Sequence, residues 1–223
     1  MKIGMIGAGY VGRTLAALAV RQGHEVMISN SRGPETLLSS AVALRCRVGT
    51  ALQAAAFGDI VLVAIPLKNY RAIPAAQLEG KIVVDANNYY WQRDGRIPVL
   101  ENHATTTSEL LAGHLRGARV VKAFNAIPQD ELATAGRPAG TPGRRALPIA
   151  GDDAQAKQEV TALVDAFGFD VVDAGALSEG WRFQRAKPAY CARLDAAGMR
   201  QALAQADIDI DLPDWFMAPA MMT

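Results

Sequence analysis

The sequence predicts an α/β fold, a doubly wound parallel sheet followed by a small C-terminal domain. Three observations carry that prediction. Short apolar runs alternate with amphipathic stretches through the first 125 residues, the strand–helix alternation that builds parallel sheets. Several runs are apolar on both faces, as strands must be when helices cover both sides of a sheet. The first run ends in a glycine-rich turn that leads straight into a helix pattern. At roughly 150 residues per domain, 223 residues amount to one large domain with an annex. A change of character after Asn125 puts the division at 1–145 and 146–223.

Each element follows from local pattern. Residues 2–6 are a strand stopped by glycine. Residues 10–22 are a helix, with Val11, Leu15, Leu18 and Ala19 on one face and Gly23 beyond its end. Residues 25–29 read as a second strand, 35–43 as a helix and 48–50 as a short third strand. Thr50 caps a helix over 51–56. The run I-V-L-V-A-I-P at 60–66 is the cleanest buried strand, closed by proline. A short helix or turn at 70–78 precedes strands at 81–85 and 119–124. A Gly/Pro-rich loop spans 135–145. Beyond it come a strand at 147–150, a helix capped by Asp152 or Asp153 and running to Ala166, a strand at 169–172, and a helix at 188–205.

Composition removes several functions. The 23 basic and 22 acidic side chains leave a formal charge of +1, too even for electrostatic binding to nucleic acid or a membrane surface. Half the residues are hydrophobic, which excludes a disordered chain, yet no apolar stretch is long enough to span a bilayer. The apolar N-terminal run is too short for a signal peptide. Cys46 and Cys191 fit no CxxC or zinc spacing, and His24, His103 and His114 form no ligand pattern. A reduced, cytoplasmic protein without a metal is the expectation. Cys46 reads as a small core residue and His103 as part of a surface loop.

Gly7-Ala8-Gly9-Tyr10-Val11-Gly12 fits G-x-G-x-x-G at the end of a strand and the start of a helix, the context in which this pattern cradles a pyrophosphate. Gly7 permits the tight turn, Gly9 lets the backbone approach phosphate, and Gly12 lets helix and strand pack closely. The helix start offers unpaired N–H groups and the positive end of its dipole. Where an NAD site carries an acid at the end of the second strand, this chain has Ser29-Asn30-Ser31-Arg32. Ser31 donates to a 2′-phosphate, and Arg32 pairs with it and lies on adenine, so NADP is the expected cofactor. The alternative is that Ser31-Arg32 only begins a solvated turn.

The reactive end belongs at the carboxyl ends of the strands. Ile65 and Pro66 are candidates to pack on a nicotinamide, and Asn87 to bond its carboxamide or ribose. Asn125, Ala126 and Ile127 are candidates to present backbone N–H groups to a second planar ligand. Asn and Pro are also ordinary turn residues at such positions. No Ser–His–Asp order and no Tyr-x-x-x-Lys spacing accompanies them, so no catalytic residue is assigned. Lys68 and Lys122 are the possible acids, although Lys122 lies within an apolar strand. Hydride exchange between two aligned planar cofactors needs little acid–base help.

The segments 1–12, Ser29-Asn30-Ser31-Arg32 and Val121-Lys122-Ala123-Phe124-Asn125 resemble the coenzyme F420-dependent NADP oxidoreductase family. Asp85-Ala86-Asn87-Asn88 and Ile149-Ala150-Gly151-Asp152-Asp153 extend the likeness. It implies an NADP-binding Rossmann domain and a small C-terminal domain for substrate and dimerisation, with the chain acting as a homodimer. It implies coenzyme F420 as the small-molecule hydride partner. Its deazaflavin would lie against the nicotinamide and be bordered by Asn125, Ala126 and Ile127. The chain departs from the family pattern at Gly33-Pro34-Glu35, where members often carry another basic residue, and at Ala126, where some have a polar side chain.

The segment Gly180-Trp181-Arg182-Phe183-Gln184-Arg185 reads as a loop packed on the sheet edge, or as a holder for an anionic cofactor tail. Trp215-Phe216-Met217 and Met221-Met222 suggest a tail docked on a partner subunit or on the chain's own surface. The leading function is hydride transfer between NADP(H) and F420 or a flavin-like acceptor. The alternatives are an NADPH-dependent reductase of a small imine or carbonyl compound and a non-catalytic NADP(H)-binding regulatory module.

Overall fold

A computed structural model describes residues 1–213; the Trp215-Phe216-Met217 and Met221-Met222 segments lie outside the described residues. Its centre is an eight-stranded sheet in the order β3-β2-β1-β4-β5-β6-β7-β8. The strands are β1 (Lys2–Ile6), β2 (Glu25–Ser29), β3 (Arg47–Val48), β4 (Ile60–Val63), β5 (Ile82–Asp85), β6 (Arg119–Lys122), β7 (Ala146–Gly151) and β8 (Asp170–Asp173). The first six are mutually parallel. After β3 the chain returns to the other side of β1, so β1 and β4 flank the switch point where such sheets bind ligands. This is a Rossmann-type sheet.

The central strands β4 and β5 are buried at every position, which is why they read as continuous apolar runs. Helices α1 (Tyr10–Arg21), α2 (Leu38–Leu44) and α3 (Ala51–Phe57) connect the first four strands. Leu15, Ala16, Leu18 and Ala19 of α1 are buried against the sheet. Thr50 closes a capping box with Gln53 at the start of α3. The 35–43 segment is helical as expected but divided, a 3₁₀ turn over Pro34–Leu37 preceding α2.

Beyond β5 come α4 (Trp91–Asp94), α5 (Pro98–Glu101) and α6 (Thr107–His114), for which the hydrophobic pattern gives no forecast. α6 announces itself only through its cap. Thr106 accepts from the Glu109 N–H, and Glu109 returns a bond to the Thr106 N–H. After β6, α7 (Gln129–Thr134) leads into the Gly/Pro-rich loop, and the chain comes back antiparallel to β6 as β7. β7 and β8 are parallel, joined by α8 (Ala154–Ala166), whose N-cap is Asp153. The strand after residue 145 therefore adds to the same sheet.

Two arginines tie down that loop. Arg144, almost wholly buried, binds Asp165 at 2.6 Å and Asp170 at 2.9 Å and caps the carbonyls of Arg137 and Gly168. Arg145 meets the Glu131 carboxylate, which also receives Arg193. The paired guanidiniums hold the Glu131 carboxyl below its usual range although burial opposes them.

The expected helix over 188–205 is corrected to α9, Ala196–Ala204. Ala186 and Cys191 have φ of 67° and 56°, left-handed values that no continuous α-helix accepts, and Asp195 starts the helix by capping Gly198 N–H. Trp181 and its neighbours form a 3₁₀ turn, Leu177–Phe183, with Phe183 fully buried, so this segment packs on the sheet. Because Thr106 is nearly buried, Thr106→Ala is expected to lower unfolding free energy by about 1 kcal/mol. A urea midpoint identical to that of the unmodified chain would refute the capping role.

Candidate functional site

The glycine turn sits at the carboxyl end of β1. Gly7 has φ of 105°, and a Cβ there would lie 2.2 Å from the Ala64 carbonyl oxygen. A Cβ on Gly12 would lie 1.9 Å from the Gly7 carbonyl oxygen, so α1 meets β1 at a distance only glycine allows. Gly9 differs, since a Cβ there would find nothing within 4 Å. It is the N-cap of α1 and supplies no side-chain cap. The N–H groups of the first turn, including those of Tyr10, Val11 and Gly12, receive no side-chain cap and lie at the positive end of a 12-residue helix with no acid in its first turn. That bare cradle fits a pyrophosphate.

At the end of β2, Ser31 and Arg32 are exposed. Asn30 shapes this turn. Its Oδ1 accepts from the Arg32 N–H at 2.9 Å, and its Nδ2 donates to Thr36 Oγ1 at 2.9 Å. Asn30 is thus committed to holding this turn, and Ser31 and Arg32 are the exposed groups beside it. Among the described residues no carboxylate forms an ion pair with Arg32. The two predicted ends of an adenosine site, turn and cation, lie on adjacent hydrogen-bonded strands.

β4 ends at Val63, shorter than its apolar run, and 64–66 leave the sheet over the glycine turn. Ile65 Cγ2 comes within 2.8 Å of where a Gly7 Cβ would be. Ile65 and Pro66 are half-buried beside it. Asn87, at the end of β5, accepts the Ile65 N–H at 2.8 Å through Oδ1. Its Nδ2 is buried and without a partner, an orphan donor of the kind a ligand acceptor satisfies.

Beneath Asn87 lies a buried charge pair. Lys122, in β6, and Asp85, in β5, are both fully buried and 3.8 Å apart. Burial lowers the Lys122 pKa, and the Asp85 charge opposes that shift. The sequence marks Lys122 as a possible acid, but enclosure removes it from contact with any substrate.

The three residues after Phe124 meet different fates. Phe124 itself has φ of 62° and turns the chain inward. Ala126 is buried in a cluster with Phe183 and Tyr190, and Ile127 in the main core. The Ala126 carbonyl is taken by the Cys191 N–H. Asn125 donates Nδ2 to Asn88 Oδ1 at 3.2 Å and to the Phe183 carbonyl at 2.9 Å, and its Oδ1 is buried without a partner. Of the three, Asn125 is the one with a side-chain polar valence left for a ligand.

Two tyrosines that the sequence pattern does not single out meet beside this point. Tyr90 and Tyr190 bring their hydroxyls to 2.5 Å, and Arg93 and Arg185 lie 4.9 and 5.6 Å from the Tyr90 ring centroid. Burial keeps the Tyr190 phenol protonated far above its usual range, and pushes the neighbouring Cys191 thiol up to about 11, which makes it a poor nucleophile. No motif spacing could have paired residues 100 positions apart. A cleft of about 580 Å³ lies to one side and is lined by Tyr89, Trp91, Trp181 and Gln184 among others. None of the predicted cofactor residues lines it. Among the described residues no group of three His, Cys, Asp or Glu side chains is placed to hold a metal. Among them, too, no helix is long and apolar enough to cross a membrane.

Known proteins resemble this chain in sequence and overall fold. The family described as NADP oxidoreductase, coenzyme F420-dependent, matches residues 2–89. Metalloreductase STEAP3 of Rattus norvegicus is 31% identical over 179 residues, 79% of this chain and 34% of that protein. The chain spans less than half the length of the curated relatives it matches. The crystal structure of protein SMa0349 from Sinorhizobium meliloti is 30% identical, with a TM-score of 0.73 over 86% of this chain and 94% of that one. A candidate F420-dependent NADP-reductase from Arthrobacter sp. FB24 is also 30% identical, with a TM-score of 0.68 over 79% of this chain and 85% of that one. The chain belongs to the coenzyme F420-dependent NADP oxidoreductase family and has a Rossmann-type fold.

Proposed function

We propose that this chain moves a hydride between NADP(H) and coenzyme F420 or a flavin-like acceptor. One observation carries the reading: the uncapped first turn of α1 at Gly9 and the exposed Arg32 stand on adjacent strands, with no carboxylate at the end of β2. That pairing suits a pyrophosphate and a 2′-phosphate and disfavours a free ribose diol. The nicotinamide supplies and receives the hydride when bound. Ile65 and Pro66 would form its apolar bed, and Asn87 Nδ2 would donate to its amide or ribose. Asn125 Oδ1 would receive a donor from the second ligand. Alignment is then the chief contribution of the protein to rate. The family resemblance adds that the chain works as a homodimer.

A small imine or carbonyl acceptor is the second reading, favoured by the Tyr90–Tyr190 hydroxyl pair. A neutral phenol can protonate the anion that hydride addition leaves behind. Stopped-flow mixing with reduced F420 and NADP⁺ separates the two. Formation of NADPH supports the first reading. Turnover of NADPH only with an imine or carbonyl compound supports the second. Tight NADPH binding with no turnover by any acceptor overturns both in favour of a binding module.

Arg32→Ala is expected to weaken NADPH roughly 10- to 100-fold, the equivalent of about 1.5–3 kcal/mol of charge-assisted hydrogen bonding, with NADH affinity nearly unchanged. Titration by nucleotide fluorescence checks this; equal losses for both nucleotides would reject the 2′-phosphate assignment. Gly9→Val is expected to abolish dinucleotide binding at an unchanged melting temperature. An added Cβ finds nothing within 4 Å, and the backbone there is extended. Retained NADPH affinity in that variant would contradict the pyrophosphate role.

A further inference from the structure

Lys122 stands out as a charged side chain in the middle of an otherwise apolar strand. Burying an ammonium is costly unless every proton is engaged, and here the engagement is complete. Nζ donates to the Asn87 carbonyl at 3.2 Å, to Thr107 Oγ1 at 2.9 Å and to Ser108 Oγ at 3.2 Å. The fit is close enough that a Cβ on Gly180 would lie 2.8 Å from Lys122 Cδ. Replacing both members of such a pair by apolar residues of similar volume is often neutral or stabilising, whereas removing one alone strands the other. Stability alone is therefore a weak account of the pair.

What the pair holds is more specific. Asp85 Oδ1 accepts the Asn87 N–H at 3.0 Å, and Asp85 Oδ2 accepts from Ser108 Oγ at 2.6 Å. Lys122 and Asp85 thus grip both backbone polar groups of Asn87. The Ile65 N–H takes Asn87 Oδ1, which dictates the orientation of the amide. Nδ2 is the one polar atom of Asn87 left unpaired, and it is buried. Thr107 Oγ1 also accepts from Gln184 Nε2 at 3.0 Å, which ties the segment beside Asn125 to the same lysine.

We propose that Lys122 is a positioning residue. By clamping the Asn87 backbone with Asp85, it aims the Asn87 Nδ2 donor at a carbonyl oxygen on the nicotinamide end of the dinucleotide. The proposal rests on the NADP reading above. Its consequence is an effect confined to one half of the nucleotide, which general unfolding or loosening does not produce.

The test compares NADPH with 2′,5′-ADP, which carries the adenosine and 2′-phosphate but no nicotinamide. Lys122→Met is expected to raise the NADPH dissociation constant about tenfold, the loss of one well-aimed buried hydrogen bond, with 2′,5′-ADP affinity within about twofold of the unmodified chain. Asn87→Ala is expected to show the same split. The Lys122→Met/Asn87→Ala double variant is expected to lose no more than either single one, because the lysine acts through the asparagine. Lys122→Met strands Asp85 as a lone buried charge; if it does not fold, Asp85→Asn/Lys122→Met decides, since it buries no charge and is expected to give the same split. Unchanged NADPH affinity, equal losses for both nucleotides, or fully additive losses would each overturn the proposal. An unmodified chain that binds neither nucleotide overturns the NADP reading, and this inference falls with it.

Discussion

The contact between the end of β1 and the start of α1 constrains most of what surrounds it. With Gly12 a Cβ-width too close to Gly7 for any other residue, the helix axis is pulled down onto the strand end. Its uncapped first turn then opens on the space over Gly9. Six parallel strands deliver their carboxyl ends to the same edge. The adenosine-facing turn after β2 and the loops after β4, β5 and β6 converge there because of topology, not because they are near in sequence.

At that edge, as at the Arg144–Arg145 loop, the protein buries charge and unpaired polarity. The sheet core is aliphatic from Ile3 through Val84 and Val121, yet the last residues of β5 and β6 are Asp85 and Lys122. Each has its hydrogen bonds supplied by the first residues of α6 or by Asn87. Two side-chain valences remain open nearby, the Nδ2 of Asn87 and the Oδ1 of Asn125. A donor and an acceptor, each buried and fixed by its other bonds, are what a preorganised site holds in reserve. The C-terminal half takes part through the Phe183 carbonyl, Gln184 and Tyr190, so the site is assembled from both ends of the chain.

Much of the scaffold was legible because its signals are local. A both-faces-apolar run has few alternatives to a buried strand, and β1, β2, β4 and β5 begin within a residue of where composition puts them. Caps are equally local: Thr50 and Asp153 start α3 and α8 through side-chain bonds three residues long. α6 carries the same kind of signal in Thr106 and Glu109, but its apolar stripe is too weak to draw attention to it. The 188–205 stretch misleads for the opposite reason. Its composition suits a helix, but Cys191 takes a left-handed φ and Asp195 caps a helix that starts only at Ala196.

Sequence alone determined the strand–helix alternation, the glycine turn, the absence of an acid after β2 and the cation that stands in its place. These depend on residues within a few positions of one another, where propensity and φ preference act directly. Tertiary structure alone decided that β7 joins β6 in the antiparallel sense, that Lys122 meets Asp85, and that Tyr90 finds Tyr190. Those contacts span tens of residues. They form only once hydrophobic burial has set the sheet order, and no spacing along the chain encodes which polar atoms are then left facing one another.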